Sequence, residues 1–205
     1  ILGRYTNKKI INPETGEVVK KGEPGVLNIA GPSVMIGYHN NPEETNKVIS
    51  YDETGKKWCS TGDILRELED GSFEYVGRIK RNFVSGIENI YPEQLEDLIS
   101  TLPEVREAVV TSIPDELVQF LPKYHISLND ENIDYKEFET KLYAIIEKRL
   151  GENWLPCSIE YTADPLKRMA NSKLDISYYQ NKDNKEYEEG KINSEEARKI
   201  RIKKM

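Results

Sequence analysis

Along the first third of the chain, short apolar runs are punctuated by glycine and proline rather than spaced by long polar stretches. Residues 26–30 (VLNIA) lie between Gly22-Glu23-Pro24-Gly25 and Gly31-Pro32, and Lys9-Ile10-Ile11-Asn12 runs into the turn-like Pro13-Glu14-Thr15-Gly16-Glu17. Apolar runs of this length between turn formers predict strands, so residues 1–77 read as a small, mostly antiparallel β unit. One short helix is expected inside it, because Asn41-Pro42-Glu43-Glu44-Thr45 places proline and acids at a helix start, with Val48 and Ile49 at its close. The runs 64–68 and 72–76 flank Asp70-Gly71, a strong short-range signal for a tight hairpin turn.

After Lys80 the pattern changes to alternating helix and strand. A helix is expected at Pro92, where proline suits the first helical position, Glu93, Glu96 and Asp97 favour the positive end of the dipole, and Leu95, Leu98, Ile99 and Leu102 form a buried stripe. Runs 107–113, 124–128 and 158–162 predict three strands. Between 134 and 151, Phe138, Leu142, Ile145, Ile146 and Leu150 share one helical face, with Gly151 as the expected C-cap. Three strands and two helices make a compact α+β unit. Past Tyr179 the chain is rich in both charge signs and poor in large apolar residues, which predicts a solvated tail over 181–205. Within it, Asn193 or Ser194 could cap a short basic helix carrying Ala197, Ile200 and Ile202.

Composition narrows the functional classes. With 205 residues the chain can form one domain or two small ones; 32% are charged and the net charge is −7, which argues against a nucleic-acid partner held by a broad basic surface. No apolar run reaches membrane-spanning length and the opening ILGRYTNKK is not a signal peptide, so a soluble, cytoplasmic protein is expected. Cys59, Cys157, His39 and His125 show no zinc-type spacing, so the thiols are expected free, both histidines structural, and no metal ligand is assigned. The chain opens with Ile1 in the middle of a hairpin pattern, which reads as a piece of a longer protein.

The hairpin concentrates the chemistry. With its turn at residues 70 and 71, Asp63 would start one strand and Arg78 would end the other, near the same open end. A carboxylate offers acceptors for both hydroxyls of a ribose, and a guanidinium offers a planar fork of donors for phosphate or carboxylate. The pair therefore reads as nucleotide recognition; the alternative is two ordinary surface charges. Gly62 and Gly77 beside them allow backbone conformations and close approaches that a Cβ would obstruct.

Ser60-Thr61-Gly62-Asp63, Asp70-Gly71, Tyr75-Val76-Gly77-Arg78-Ile79-Lys80 and Tyr91-Pro92-Glu93 together resemble the late core motifs of the AMP-forming adenylating enzymes, the superfamily of acyl-CoA synthetases, peptide-synthetase adenylation domains and luciferase. The run GEPGVLNIAGPSVMIGYHNNPEETNKVI resembles the motif before these, and VREAVVTSIPDE the opening of the family's small C-terminal domain. The resemblance implies an α+β chain in which residues 1–79 are a β-barrel-like remnant of the large N-terminal part, 80–180 a C-terminal lid domain and 181–205 a charged tail. It implies that Asp63 holds the ribose, that Arg78 contacts the nucleotide, and that Lys80, two places after the motif arginine, is the hinge of the lid.

DPLKRMANSKLDISYY resembles the family's last motif and implies that Lys173 is the catalytic lysine, reaching the acyl carboxylate and the α-phosphate; Lys167 and Arg168 compete for that role. The implied enzyme is an AMP-forming ligase joining a carboxylic acid, such as a fatty acid, to coenzyme A. ATP would be the co-substrate, magnesium would arrive with ATP without ligands from these residues, and the missing N-terminal part of the same chain would be the partner, without which no activity is expected. Two alternatives stand beside it: loading of a carrier-protein phosphopantetheine, or a degenerate lid serving as an interaction module. The latter is motivated by three departures. Gly86 sits one place before the family's loop glycine, which aligns with Ile87; Gln119-Phe120 stands where the family carries Gly and then Glu or Gln; and Ser172 replaces the glycine before the lysine.

Overall fold

In the computed structural model, which describes residues 6–130, 132–193 and 195, the chain divides after Arg81 into two units. The first contains strands β1 (Asn7–Ile11) and β2 (Pro24–Ala30), helix α1 (Pro42–Val48), and strands β3 (Ile49–Tyr51), β4 (Lys57–Glu67) and β5 (Phe73–Arg78). β4 is its hub. β2 runs along one edge of β4, while β3 and β5 share the other edge at opposite ends, and every pairing is antiparallel. Val26, Leu27, Ile64 and Val76 are buried in this unit. Among the described residues the sheet stays open, because the outer edge of β4 is divided between two short strands and neither pairs with β1. The barrel-like remnant is thus an open five-stranded sheet.

The second unit begins with the hairpin β6 (Phe83–Ser85) and β7 (Glu88–Ile90), which sequence pattern did not reveal, and helix α2 (Pro92–Ile99). It continues with β8 (Val105–Asp115), β9 (Gln119–Leu128), α3 (Tyr135–Arg149), β10 (Ser158–Thr162) and α4 (Ile176–Glu188). β9 pairs antiparallel with β8 over its whole length, parallel with β10, and with β6 at Ser85 and Gln119. Strand alternation sorts the side chains. Tyr124, Ile126 and Leu128 face the main core with Leu95 and Ile99 of α2 and Phe138, Leu142 and Ile146 of α3. Each such fully buried aliphatic side chain contributes about 1.5–3 kcal/mol relative to exposure. The opposite face of the sheet carries Val109, which packs with Leu166 and with Tyr179 of α4.

Helix α4 corrects where the expected tail begins: residues 181–188 belong to the helix, and Asp183 within them is fully buried. The short basic helix expected to carry Ala197, Ile200 and Ile202 lies outside the described residues. The helix escaped pattern reading because its inward stripe places a carboxylate at 183 where an apolar residue is looked for. α3 is capped by Asp134, whose side chain accepts from the N–H groups of Lys136 and Glu137, and it ends at Leu150 with Gly151 one residue beyond the cap. No helix among the described residues is long and apolar enough to cross a membrane.

Candidate functional site

The hairpin turn is not the two-residue turn that Asp70-Gly71 suggests. Leu68 and Ser72 close it through Leu68 N–H to Ser72 C=O (2.9 Å), and Glu69-Asp70-Gly71 form a three-residue loop with Gly71 at φ 81°. The Asp70 carboxylate locks it by accepting from Ser72 N–H (2.9 Å) and Ser72 Oγ–H (2.6 Å). That extra residue displaces the pairing by one, so an unbroken ladder would set Asp63 opposite Gly77. A bulge restores the register: Leu65 pairs with Tyr75, Ile64 pairs with Gly77, and buried Val76 is the unpaired residue between. Asp63 therefore faces Arg78.

Asp63 does not start its strand, as the sequence suggested; β4 begins six residues earlier, at Lys57. A second irregularity aims it. Pairing of β2 with β4 shifts between Ser60 and Ile64, where Gly62 adopts φ 75°. A Cβ on Gly62 would meet nothing closer than Ile79 Cγ2 at 3.8 Å, so the constraint on Gly62 is backbone conformation and not the close approach anticipated from sequence. Thr61 Oγ1 donates to Leu27 C=O (3.1 Å) and accepts from Asp63 N–H (3.1 Å), tying the bulge to β2.

Arg78 Nε lies 2.8 Å from Asp63 Oδ1, with the two side chains 59% and 28% exposed. The ion pair is open to solvent, and each partner keeps capacity: the second carboxylate oxygen of Asp63, and the terminal N–H groups of Arg78. Lys80 is exposed in the turn that follows β5, where Arg81 N–H donates to Arg78 C=O (2.9 Å), immediately before the division between the units.

Lys173 belongs to the second unit. Residues 168–174 form a tight hairpin closed by the Arg168–Leu174 bridge and by Met169 N–H to Lys173 C=O (2.8 Å). The loop is anchored on β8, because Arg168 is ion-paired with Glu107 and Leu166 N–H donates to Glu107 Oε1 (2.6 Å). Of the three competing cations, Arg168 is thereby occupied, and Lys167 lies over the Tyr178 ring at 3.8 Å. Lys173 is exposed, without an ion pair among the described residues. Ser172 before it has φ 67°, a conformation that favours glycine.

The same holds at the β8–β9 turn. Gln119 has φ 68°, after a turn in which Asp115 Oδ1 accepts from Leu117 and Val118 N–H. Both positions where glycine is replaced relative to the family motif therefore retain the backbone that glycine serves. Gly86, at φ 67°, and Ile87, 95% exposed, form the two-residue turn between β6 and β7, with glycine first as that kind of turn requires.

A second charged cluster lies under α4 and was not legible in residue spacing. Asp183 accepts from Lys123 Nζ (2.6 Å) and Thr111 Oγ1 (2.6 Å), and lies 2.7 Å from His125 Nε2. His125 Nδ1 is 3.3 Å from Glu160, which also pairs with Lys182. Burial acts to raise the pKa of the Asp183 carboxyl, but the hydrogen bonds and charges of His125 and Lys123 outweigh it and the net shift is downward. Burial likewise opposes the Lys123 ammonium, and Asp183 and Glu186 outweigh it, raising its pKa. His125, Glu160 and Asp183 offer ligand atoms within 4.8 Å of one another, yet Lys123 already supplies the cation at Asp183.

No family model matches the chain. Curated acyl-CoA ligases are similar to it in sequence. Medium-chain acyl-CoA ligase ACSF2, mitochondrial, of Bos taurus is 41% identical over 112 residues, 55% of this chain and 18% of that protein. The putative acyl-CoA ligase YdaB of Bacillus subtilis (strain 168) is 32% identical over 169 residues, 82% of this chain and 32% of that protein. The chain spans about a third or less of the length of these relatives. Among solved structures, the o-succinylbenzoate CoA synthetase MenE of Bacillus subtilis, in complex with its acyl-adenylate intermediate, superposes with TM-score 0.72 at 26% identity, over 86% of this chain and 34% of that one. The ATP-bound RpMatB-BxBclM chimera B1 does so with TM-score 0.74 at 25% identity, over 87% and 34%.

Proposed function

Because this chain belongs to the AMP-forming adenylating enzymes, the superfamily that includes the acyl-CoA ligases, we propose that it is the C-terminal part of an ATP-dependent carboxylic acid–CoA ligase, with residues 80–180 as its lid. The observation that carries this reading is the register that sets Asp63 against Arg78 at the mouth of a ribbon. In the first half-reaction the substrate carboxylate attacks the α-phosphorus of ATP and pyrophosphate leaves. In the second, the thiol of coenzyme A attacks the acyl carbon and AMP leaves. Asp63 accepts the ribose hydroxyls, Arg78 turns its donors toward the nucleotide, and Lys80 is the pivot between lid orientations. Lys173 is delivered to the reacting carboxylate and phosphate, where a compact ammonium reduces their repulsion and stabilises the charge that develops. The left-handed backbone kept at Gln119 and Ser172 supports a working lid over a degenerate interaction module.

Magnesium would enter with the ATP phosphates. A hard dication of this kind takes octahedral oxygens and several waters, and the His125–Glu160–Asp183 cluster, with one imidazole among its ligand atoms and Lys123 already at Asp183, does not suit it. The cytoplasm is the compartment in this reading, and fractionation of cells expressing the full-length protein checks it.

Lys173→Ala in the full-length protein is the deciding experiment. Adenylate formation, followed by pyrophosphate exchange, is expected to fall roughly a hundredfold to a thousandfold, and an unchanged rate would remove the catalytic role. Residues 1–205 alone are expected to give no exchange with any acid. Offering the full-length protein coenzyme A and a carrier-protein phosphopantetheine separates the two acceptors, with coenzyme A expected to support turnover.

A further inference from the structure

A hollow of about 180 Å³ in the first unit is lined by Lys8, Lys9, Lys20 and Lys21, with Glu67 as its acidic residue and Phe73 in its wall. The Lys8 ammonium lies over the Phe73 ring, 3.7 Å from its centroid. Lys9, the next residue along the strand, points the other way and lies over Trp58 at 4.4 Å. The Lys21 ammonium donates to Glu69 C=O (3.0 Å), and the backbone N–H of Lys20 donates to the Glu23 carboxylate (3.2 Å), which fixes the turn.

Some exposed lysines of this acidic chain find acids, among them Lys47, Lys141, Lys185 and Lys191, while others such as Lys148 and Lys173 stand singly among the described residues. The hollow differs in bringing several to one space. None of the four lysines of the hollow has a carboxylate within 4 Å of its ammonium among the described residues. Counting Lys8, Lys20 and Lys21 against Glu67, three cations and one anion leave two positive charges facing one small space. That balance fits a dianion better than a monoanion. Among the described residues no arginine, whose planar fork selects carboxylates bidentately, lines the hollow, whereas ammonium groups bind phosphate as point charges with freely rotating donors. Pockets that enclose a drug-sized molecule run to roughly 300–1,000 Å³, so the hollow accommodates a phosphate group and not a whole nucleoside.

We propose that Lys8, Lys20 and Lys21 form a binding site for a phosphate group, either free as phosphate or pyrophosphate or carried as the monoester headgroup of a lipid. The lining shares no residue with Asp63, Arg78 or Lys173, and binding there does not depend on the function assigned to them. The test is residue-resolved lysine acetylation of the full-length protein, read by mass spectrometry, with exposed Lys148 as the reference. Pyrophosphate is expected to slow labelling of Lys8, Lys20 and Lys21 relative to Lys148, and acetate at equal ionic strength is not. Vesicles containing phosphatidic acid, set against phosphatidylcholine alone, distinguish the sources: protection by the vesicles only assigns a lipid headgroup, and protection by pyrophosphate assigns the free anion. In K8Q/K20Q/K21Q, which lacks the labelled amines, pyrophosphate or vesicle binding is read directly by calorimetry and is expected to weaken about tenfold, equivalent to 1.4 kcal/mol, with an unchanged thermal melt. Added salt is expected to weaken it further, since exposed charges are screened. Equal protection by acetate, or no protection by any phosphate probe in the wild-type protein, overturns the proposal.

Discussion

Two carboxylate–cation pairs in this protein have nearly the same contact distance and opposite physical roles. Asp63 and Arg78 meet at 2.8 Å at the mouth of the β4–β5 ribbon with side chains 28% and 59% exposed, whereas Asp183 and Lys123 meet at 2.6 Å with side chains 0% and 6% exposed. In water a solvated pair is worth about 0–1 kcal/mol, so either partner can exchange the other for a ligand at small cost. Under α4, both charges have lost their water, and each is tolerated because the other, with Thr111, His125 and Glu186, replaces it. Contact distance alone therefore does not separate a binding site from a clamp. Solvent does.

The sharpest way to break this contrast is to truncate the two aspartates. Asp183→Ala removes the fully buried acid from between the Lys123 ammonium and the His125 imidazole, leaving only the partly exposed Glu186 and Glu160 near them, and is expected to cost about 3–5 kcal/mol in urea denaturation of the second unit. Asp63→Ala is expected to change stability by less than about 1 kcal/mol. Its effect falls instead on ligand affinity: loss of charged hydrogen bonds worth about 1.5–3 kcal/mol should weaken AMP binding by the full-length protein by roughly tenfold to a hundredfold, measured calorimetrically. Equal destabilisation by the two substitutions would end the comparison.

Acidity sharpens it next. The folded-state pKa of Asp183 lies below its ordinary 3.8, and that of Glu160 below 4.5, so their contribution is present above those values and lost as pH falls through the depressed folded-state pKa. The raised pKa of Lys123 gives the opposite arm, a contribution present below 10.5 and lost as pH rises through the higher folded-state value. Near-ultraviolet circular dichroism of Tyr178 and Tyr179 on α4 should follow both losses in the wild type. In Asp183→Asn the acid arm should shrink.

The smallest effects concern backbone. Ser172→Gly and Gln119→Gly each relieve a left-handed φ that disfavours a side chain by about 1–2 kcal/mol, against a glycine entropy cost of about 0.5–1 kcal/mol. A net gain of up to about 1 kcal/mol is expected for each, seen as a raised melting temperature.

Much of the fold could be read from pattern. The apolar stripes of α2 and α3, the acids and proline at the start of α1, and the strands at 26–30 and 158–162 follow from local periodicity and turn chemistry. The hairpin carrying Asp63 and Arg78 could be read as well, although by a route that needed two compensating irregularities. The three-residue turn displaces the ladder and the bulge at Val76 restores it. Neither is a property of any single residue type, since a bulge forms where burial of a side chain outweighs a lost ladder bond.

What the amino-acid order determined by itself was local: where strands and helices begin, which turns close, and which charged residues stand in motif positions. Which charges lose their water was decided only in three dimensions. Lys123-Tyr124-His125-Ile126-Ser127-Leu128 alternates polar and apolar whether its polar face meets solvent or another element, and reads as a half-exposed strand in either case. It is buried on both faces because α4 lays Asp183 across it, 60 residues from Lys123 along the chain. Desolvation depends on everything that surrounds a charge, and tertiary packing alone assembles those surroundings.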